Sequence, residues 1–289
     1  MLNPTALRSL CRAALAEDVG GGDATTLAMI PDHLEIEAAM VTRDDCVCAG
    51  LPVAEALFAE LDASVHFTAL AREGEACTAG RRLATVTGKA RAILTGERTA
   101  LNFVQRLSGI ATLTNRFVKA VGDHTTKILD TRKTTPGLRA LEKYAVRMGG
   151  GQNHRFGLYD RIMIKDNHRA LAAFQGPDPI PWAVKTCRKA YPGLEIEVEA
   201  EDMDQVEAAA KTGADYILLD NMANDEIAEA VRIVRGRALL EASGGITLER
   251  ISALAAIGVD FISVGALTHS ARAIDIGLDI ATPQETGPG

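Results

Sequence analysis

Four apolar runs in the second half of the chain end at Glu199, Asp220, Ser243 and Gly265, spaced by 21, 23 and 22 residues. The runs cover 194–199, 216–220, 239–243 and 261–265, and between them lie helix-like stretches. Their core positions are Val206 and Ala210; then Ile227, Val231 and Val234; then Leu248, Ile251 and Ala255. Strands that alternate with helices at so short and steady a repeat can pair only in parallel, because each helix carries the chain back to the start of the next strand. Two earlier runs, 127–130 and 162–165, bring the number of strands to six. In a barrel of such units the carboxyl ends of the strands converge on one mouth. That geometry gathers Arg132, Lys133, Lys165, Glu199, Asp220 and Ser243, whatever their separation along the chain. Six strands fall short of the eight of a closed barrel, so closure stays open at this point.

The first half is mixed. Asn3 can cap a helix with Pro4 at its first position, and Leu7, Leu10 and Ala14 recur at helical spacing, so a helix is expected over 4–17. Gly20, Gly21 and Gly22 come next; without a Walker lysine or a dinucleotide fingerprint they are read as a helix-to-strand turn. Runs 34–41 and 65–70 have strand composition and 52–61 reads as a helix, which together describe a small α+β domain with a packing role. A longer helix is expected over 97–121, interrupted at Ser108-Gly109, and that interruption is taken as the domain boundary. Arg98 lies on this helix, where its own surroundings read as a solvated face. The expected domains are therefore 1–108, an α/β barrel over 109–270, and a C-terminal segment, 271–289.

Composition excludes several classes. With 289 residues, 47% of them hydrophobic, the chain can bury a large core, and a net charge of −7 argues against a nucleic-acid binder. The start of the sequence lacks the basic and apolar regions of a signal peptide, and no apolar run reaches the length of a membrane span. A cytoplasmic protein with no membrane partner is the expectation. Five scattered cysteines without a Cys-x-x-Cys pair indicate neither a disulfide framework nor a zinc site. Cys46 and Cys48, alternate residues of an expected strand, are read as a reduced, inert pair.

Against this acidic background, Arg132, Lys133, His154, Arg155 and Lys165 put concentrated positive charge beside strand ends and glycine turns. Arginine forks grip carboxylates at two points and lysine acts as a point charge, so the mixture suits a ligand with several carboxylates or phosphates. Ion pairing with Glu142 and Asp160 is the competing explanation for the same residues. Glu199 and Asp220, at consecutive strand ends, can bind ribose hydroxyls or hold a magnesium ion. Ser243-Gly244-Gly245 and Gly265-Ala266 form the turns after the last two strands, where barrels commonly bind a terminal phosphate on backbone amides.

Across nearly the whole chain the sequence resembles the quinolinate phosphoribosyltransferases, also called carboxylating nicotinate-nucleotide pyrophosphorylases. The stretches that carry the resemblance include Glu17-Asp18-Val19-Gly20, Glu97-Arg98-Thr99-Ala100-Leu101-Asn102, Leu107-Ser108-Gly109-Ile110-Ala111-Thr112, residues 130–136, 149–158 and 164–168, Leu218-Leu219-Asp220-Asn221 and Glu241-Ala242-Ser243-Gly244-Gly245. The resemblance implies an N-terminal sandwich domain with an open α/β barrel, a C-terminal segment that rejoins the first domain, and conversion of quinolinate and phosphoribosyl pyrophosphate to nicotinate mononucleotide, pyrophosphate and carbon dioxide with magnesium. Carried over residue by residue, it assigns Arg98, Thr131, Arg132, His154, Arg155 and Lys165 to quinolinate. Lys133, Glu199 and Asp220 go to phosphoribosyl pyrophosphate and its metal, the two acids binding the ion through water by that implication. Ser243, Gly244, Gly245, Gly265 and Ala266 go to the 5-phosphate. It further implies a homodimer in which Arg98 reaches the neighbouring subunit's site. A related group associated with molybdate transport departs from the patterns at 130–134 and 164–168 that this chain keeps. A Schiff-base lyase using Lys133 or Lys165 as its amine, and a non-enzymatic binding protein, are the alternatives from other classes.

Overall fold

In a computed structural model, residues 2–175 and 179–280 are described, and they form two compact units. One unit comprises residues up to Leu113, Ala140–Gly150 and the segment from Ala271; the other comprises Thr114–Arg139 and Gly151–Ser270. The segment 140–150, which falls inside the expected 109–270, thus belongs with the first unit. The last nine residues of the expected C-terminal segment, 281–289, lie outside the described residues.

The first unit begins with α1 (Pro4–Val19), whose first turn is closed by the Asn3 side chain accepting from the N–H groups of Thr5 and Ala6. The glycines at 20–22 do not lead into a strand. Asp23 accepts from the N–H of Thr26 and starts a second helix, α2 (Ala24–Met29), because an aspartate at that position supplies the acceptor a new helix end needs. There follow β1 (Glu35–Thr42), β2 (Cys46–Val47), α3 (Leu51–Leu61), β3 (His66–Ala69), β4 (Ala76–Cys77) and β5 (Arg82–Lys89). Strands β1, β5 and β3 pair antiparallel, and β2 pairs with β4 so that Cys46 faces Cys77. Cys46, Cys48 and Cys77 are buried free thiols, and burial pushes each pKa up, which keeps them unreactive.

Helix α4 (Ala90–Ala120) is longer than expected and runs unbroken through Ser108-Gly109. Those residues are small because something approaches closely. A methyl group at position 109 would lie 2.0 Å from the carbonyl oxygen of Arg272. The returning chain is laid along this face: Ile274 N–H donates to Gln105 O, the Gln105 side chain donates to Ile276 O at 2.7 Å, and Arg106 donates to Ala271 O at 2.8 Å. Most of α5 (Arg139–Met148) also belongs to this unit. The last described strand, β12 (Ile276–Ile280), pairs antiparallel with β1. The sheet order is β12-β1-β5-β3, with the end of the described chain as its edge.

The second unit holds β6 (Lys127–Leu129), β7 (Ile162–Ile164), β8 (Ile196–Ala200), β9 (Tyr216–Asp220), β10 (Leu239–Ser243) and β11 (Phe261–Ser263). They form one parallel sheet in the order β6-β11-β10-β9-β8-β7. Among the described residues no ladder joins β6 to β7, so the sheet curls without closing. Side chains alternate across it: Val198, Ile217, Leu219, Ala242 and Ile262 are buried on one face. The opposite face carries Glu197, Glu199, Leu218, Asp220, Glu241, Ser243 and Ser263.

The close approach at Gly109 makes a prediction. Gly109→Ala should cost about 1–3 kcal/mol by overpacking, read as a lower midpoint of chemical denaturation, although alanine is the better helix former. An unchanged midpoint would show that the 271–276 segment yields freely.

Candidate functional site

The polar face of the parallel sheet opens into a cavity of about 390 Å³ in the second unit. Its wall includes Thr131, Arg132, Lys133, His154, Arg155, Lys165, Glu199, Asp220 and Ser243, which the sequence had singled out, together with Met163, Leu218, Glu241 and Ser263. Of the wider furrows elsewhere on this unit, one is lined by Lys211 and Arg232 already paired with Glu207 and Glu229, and the other by Lys185, Arg188 and Lys189; neither has the strand-end turns of this cavity.

Each member is placed by a local cause. The register sets Ser243 beside Asp220 and Glu199 beside Leu218, so the strand ends form one rim. Thr131 Oγ1 accepts the Lys133 N–H at 3.0 Å, and the Thr268 hydroxyl donates to Lys133 O at 2.7 Å, folding 131–133 over the end of β6. Arg139 donates to Thr134 Oγ1 and to the Arg132 carbonyl, pinning the far side of the loop. Lys165 Nζ donates to Glu199 Oε2 at 2.6 Å, so these two expected ligand groups hold each other. His168 Nδ1 accepts the Lys165 N–H at 3.0 Å and begins α6 (Asp166–Leu171).

The acids considered from the sequence answer this charge only in part, Asp160 attracting Arg155. Glu142 pairs with Arg106 in the first unit, and Asp160 accepts from the N–H groups of Phe156 and Gly157. Arg132 Nε is buried without a hydrogen-bond partner, and Arg155 has its pKa lowered by burial and by the nearby Arg132. Two guanidiniums crowded in this way could take up an anion between them.

The turns after β10 and β11 need glycine for backbone reasons. Gly244 and Gly245 have φ of 86° and 56°, and a methyl group at 244 would stand 2.7 Å from the Asn221 backbone nitrogen. A methyl at Gly265 would touch Lys133 Cδ at 3.1 Å, so the lysine stem lies directly over that turn. Gly244, Gly245, Gly265 and Ala266 do not line the cavity itself; Ser243 and Ser263 bring that side to its wall. Arg98 is exposed on α4, in the other unit.

Asp220 has its pKa raised by burial and then by Glu199, against the pull of Lys165 and Lys133. Two carboxylates repelling each other at a polar rim fit a divalent cation that keeps much of its water. A second acidic group lies deeper: Glu197, Glu241 and His154 have ligand atoms within 4.8 Å of one another. His154 Nε2 is 3.1 Å from Glu197 Oε2 and 3.4 Å from Glu241 Oε2, while its Nδ1 accepts the Arg155 N–H at 2.6 Å. Both ring nitrogens are thus turned to protein groups, and not outward to a ligand carboxylate as expected. Burial opposes a charged imidazole, yet the two carboxylates prevail and raise its pKa to about 9. Burial and Glu241 push the Glu197 carboxyl up as well. The raised pKa of His154 favours a second proton, but the Arg155 N–H aimed at Nδ1 opposes it; where that bond is made, the one ring proton lies on Nε2, toward the acids. Sequence reasoning passed over Glu197 and Glu241, although a glutamate inside an apolar parallel strand, two residues before a rim residue and on the same face, was a signal.

Parallel strands ending in grouped cations, paired acids and glycine turns define an α/β transferase for phosphorylated and carboxylated ligands. The chain matches the models described as quinolinate phosphoribosyl transferase, N-terminal domain, over residues 23–108, and C-terminal domain, over 110–279; it belongs to the quinolinate phosphoribosyl transferase family. It is 46% identical, over 92% of its length and 90% of the relative's, to a probable nicotinate-nucleotide pyrophosphorylase [carboxylating] of Synechocystis. With a protein of the same description from Bacillus subtilis it shares 41% identity over 99% of this chain and 97% of the other. The solved nicotinate-nucleotide pyrophosphorylase of Francisella tularensis superposes with a TM-score of 0.91 at 40% identity, covering 97% of this chain and 98% of that one.

Asp160 gives a pH test of the loop beside the cavity. Burial disfavours its charge, but the N–H groups of Phe156 and Gly157 outweigh that and lower its pKa. A depressed folded-state pKa means that the contribution is complete at neutral pH and disappears only as pH falls through the lowered value. The Asp160 carboxyl carbon, followed by NMR, should titrate below the ordinary aspartate range, and Asp160→Ala should speed amide exchange at Phe156 and Gly157. An ordinary midpoint would remove these bonds from the solution structure.

Proposed function

We propose that this cavity carries out the phosphoribosyl transfer of the family: quinolinate and phosphoribosyl pyrophosphate give nicotinate mononucleotide, pyrophosphate and carbon dioxide, a step of de novo NAD biosynthesis. The observation that carries the reading is the division of charge within one cavity. Crowded guanidiniums occupy one side, and acids, a lysine and glycine turns the other. Arg132, Arg155 and Lys165 take the two carboxylates of quinolinate, with Thr131 and His154 at the same edge. Lys133, Glu199 and Asp220 face the phosphoribosyl pyrophosphate, and the turns Ser243-Gly244-Gly245 and Gly265-Ala266 hold its 5-phosphate.

Catalysis follows from positioning and charge. As pyrophosphate leaves, positive charge grows on the anomeric carbon, and Lys133 stabilises the departing oxygen. Glu199 and Asp220 fit a magnesium ion held through water, which when bound neutralises pyrophosphate charge. The arginines hold the pyridine nitrogen in line with the sugar, replacing a bimolecular encounter by a fixed approach. Once bonded, the nitrogen is a quaternary electron sink beside the 2-carboxylate. Carbon dioxide then departs, its electron pair stays on the ring, and a proton replaces it, so no protein nucleophile is required.

The same reading makes the active unit a homodimer, with Arg98 of a second copy reaching the acceptor; its exposure on α4 supports this. It also makes the enzyme cytoplasmic, in keeping with five unpaired cysteines. Among the described residues no helix is long and apolar enough to cross a membrane.

Purified protein with magnesium, phosphoribosyl pyrophosphate and quinolinate should release carbon dioxide and nicotinate mononucleotide in equal amounts, and nicotinate should be a poor acceptor. Binding without turnover, or a borohydride-trapped adduct on Lys133 or Lys165, would replace this reading by a binding protein or a Schiff-base lyase. For the shared site, inactive Arg98→Ala subunits mixed with inactive Lys133→Ala subunits should regain up to about a quarter to a half of wild-type activity, since hybrid dimers contain one intact site. A mixture that stays inactive would place Arg98 in its own chain's site or outside any.

A further inference from the structure

Beneath the rim lie two carboxylates to which the proposed reaction assigns no role, Glu241 at the cavity wall and Glu197 behind it. The side chains of Glu197 and Glu241 are 0% exposed, and His154 Nε2 meets them as an ion-pair contact at 3.1 and 3.4 Å. Two buried acids around one imidazole are costly, and apolar residues would pack the same space at less expense. Their geometry indicates what they do.

Glu197 stands in β8 and Glu241 in β10, strands separated by β9. The His154 ring therefore spans a gap that no backbone hydrogen bond crosses. At its other end, His154 N–H donates to Asp130 Oδ1 at 2.8 Å, and Asn153 Nδ2 donates to Asp130 Oδ2 at 2.5 Å, just past the end of β6. Nδ1 receives the Arg155 N–H. One residue thus joins β6, β8 and β10 to the turn that delivers Arg155. That guanidinium is itself steered by the Arg161 carbonyl at 3.2 Å and Met163 Sδ at 3.6 Å. Arg161 also lies 3.7 Å from Glu197, stacked on the Tyr216 ring, and Glu197 attracts the Arg155 guanidinium directly as well. A metal held by the three side chains fits less well, because a metal-bound imidazole donates through its other nitrogen, and here that nitrogen accepts.

We propose that Glu197 and Glu241 are positioning residues for the acceptor: by receiving Nε2–H from two strands at once they fix the ring and tautomer of His154, and so aim Arg155 at a carboxylate of quinolinate. Only an Nε2–H tautomer leaves Nδ1 bare for the Arg155 N–H. An amide at either acid could donate to Nε2 instead, placing a proton on Nδ1 against Arg155 and releasing the turn. The inference rests on the acceptor site proposed above.

Glu241→Gln and Glu197→Gln, each nearly isosteric, test it. Expected are a rise of about tenfold or more in the KM for quinolinate, the effect of a weakened charge-assisted contact, with the KM for phosphoribosyl pyrophosphate little changed. Quinolinate binding measured without the donor should weaken in parallel, and nitrogen-15 shifts of the His154 ring should move toward the Nδ1–H form. Glu241→Asp, which keeps the charge, should recover part of the loss. Thermal stability is measured alongside, so that loss through unfolding is separated from loss of aim at the acceptor. Unchanged quinolinate KM and binding would overturn the proposal, as would equal loss for both substrates together with a fall in Tm. If one variant fails to fold, the other carries the same outcomes. Absence of turnover in the wild type would count against the proposed function; an active wild type with unaffected variants counts against this inference alone.

Discussion

Parallel register is the constraint on which the rest depends. Because Glu199 lies beside Leu218 and Ser243 beside Asp220, residues remote in sequence share one rim. A shift of one residue in any strand would turn its acid to the helix-covered face and an apolar side chain to the cavity. The alternation that buries Val198, Ile217, Leu219 and Ala242 also sets the direction of Glu199, Asp220 and Ser243. Core packing and site construction are thus one event.

Below the rim the same alternation creates a second layer. Glu197 and Glu241 repeat the acidic theme one step down, where water does not reach and charge must be answered by the protein. His154 answers it, and in doing so ties together strands that the sheet leaves unconnected on that side. This also accounts for charged residues where apolar ones would be more stable: orientation needs directional partners, and dispersion supplies none.

Much of the arrangement was legible in the sequence. The repeated spacing from Glu199 to Gly265 specified a parallel sheet, and the concentration of cations from Arg132 to Lys165 located its working end. Local chemistry was equally clear at Asn3-Pro4, where a cap and a proline start a helix. Ser108-Gly109 misled as a break in the helix, because small residues can also mark a close approach, here of Arg272, although the two family models do meet at this point. Gly20-Gly21-Gly22 misled in a similar way, since the element after them is decided by Asp23, which caps a helix.

By itself the sequence determined periodicity, the residue types at the strand ends and family membership, because each is written in local order. Tertiary structure decided which of those residues face each other: Lys165 against Glu199, Lys133 over Gly265, and His154 turned inward to two buried acids. Such pairings depend on distances between chain segments more than a hundred residues apart in places, and no local pattern encodes them. Side-chain direction at 154 is the clearest case. A histidine in a basic stretch reads as a ligand for anions, but the buried charge of β8 and β10 attracts it more strongly than the open cavity does, and only the fold brings those strands within its reach.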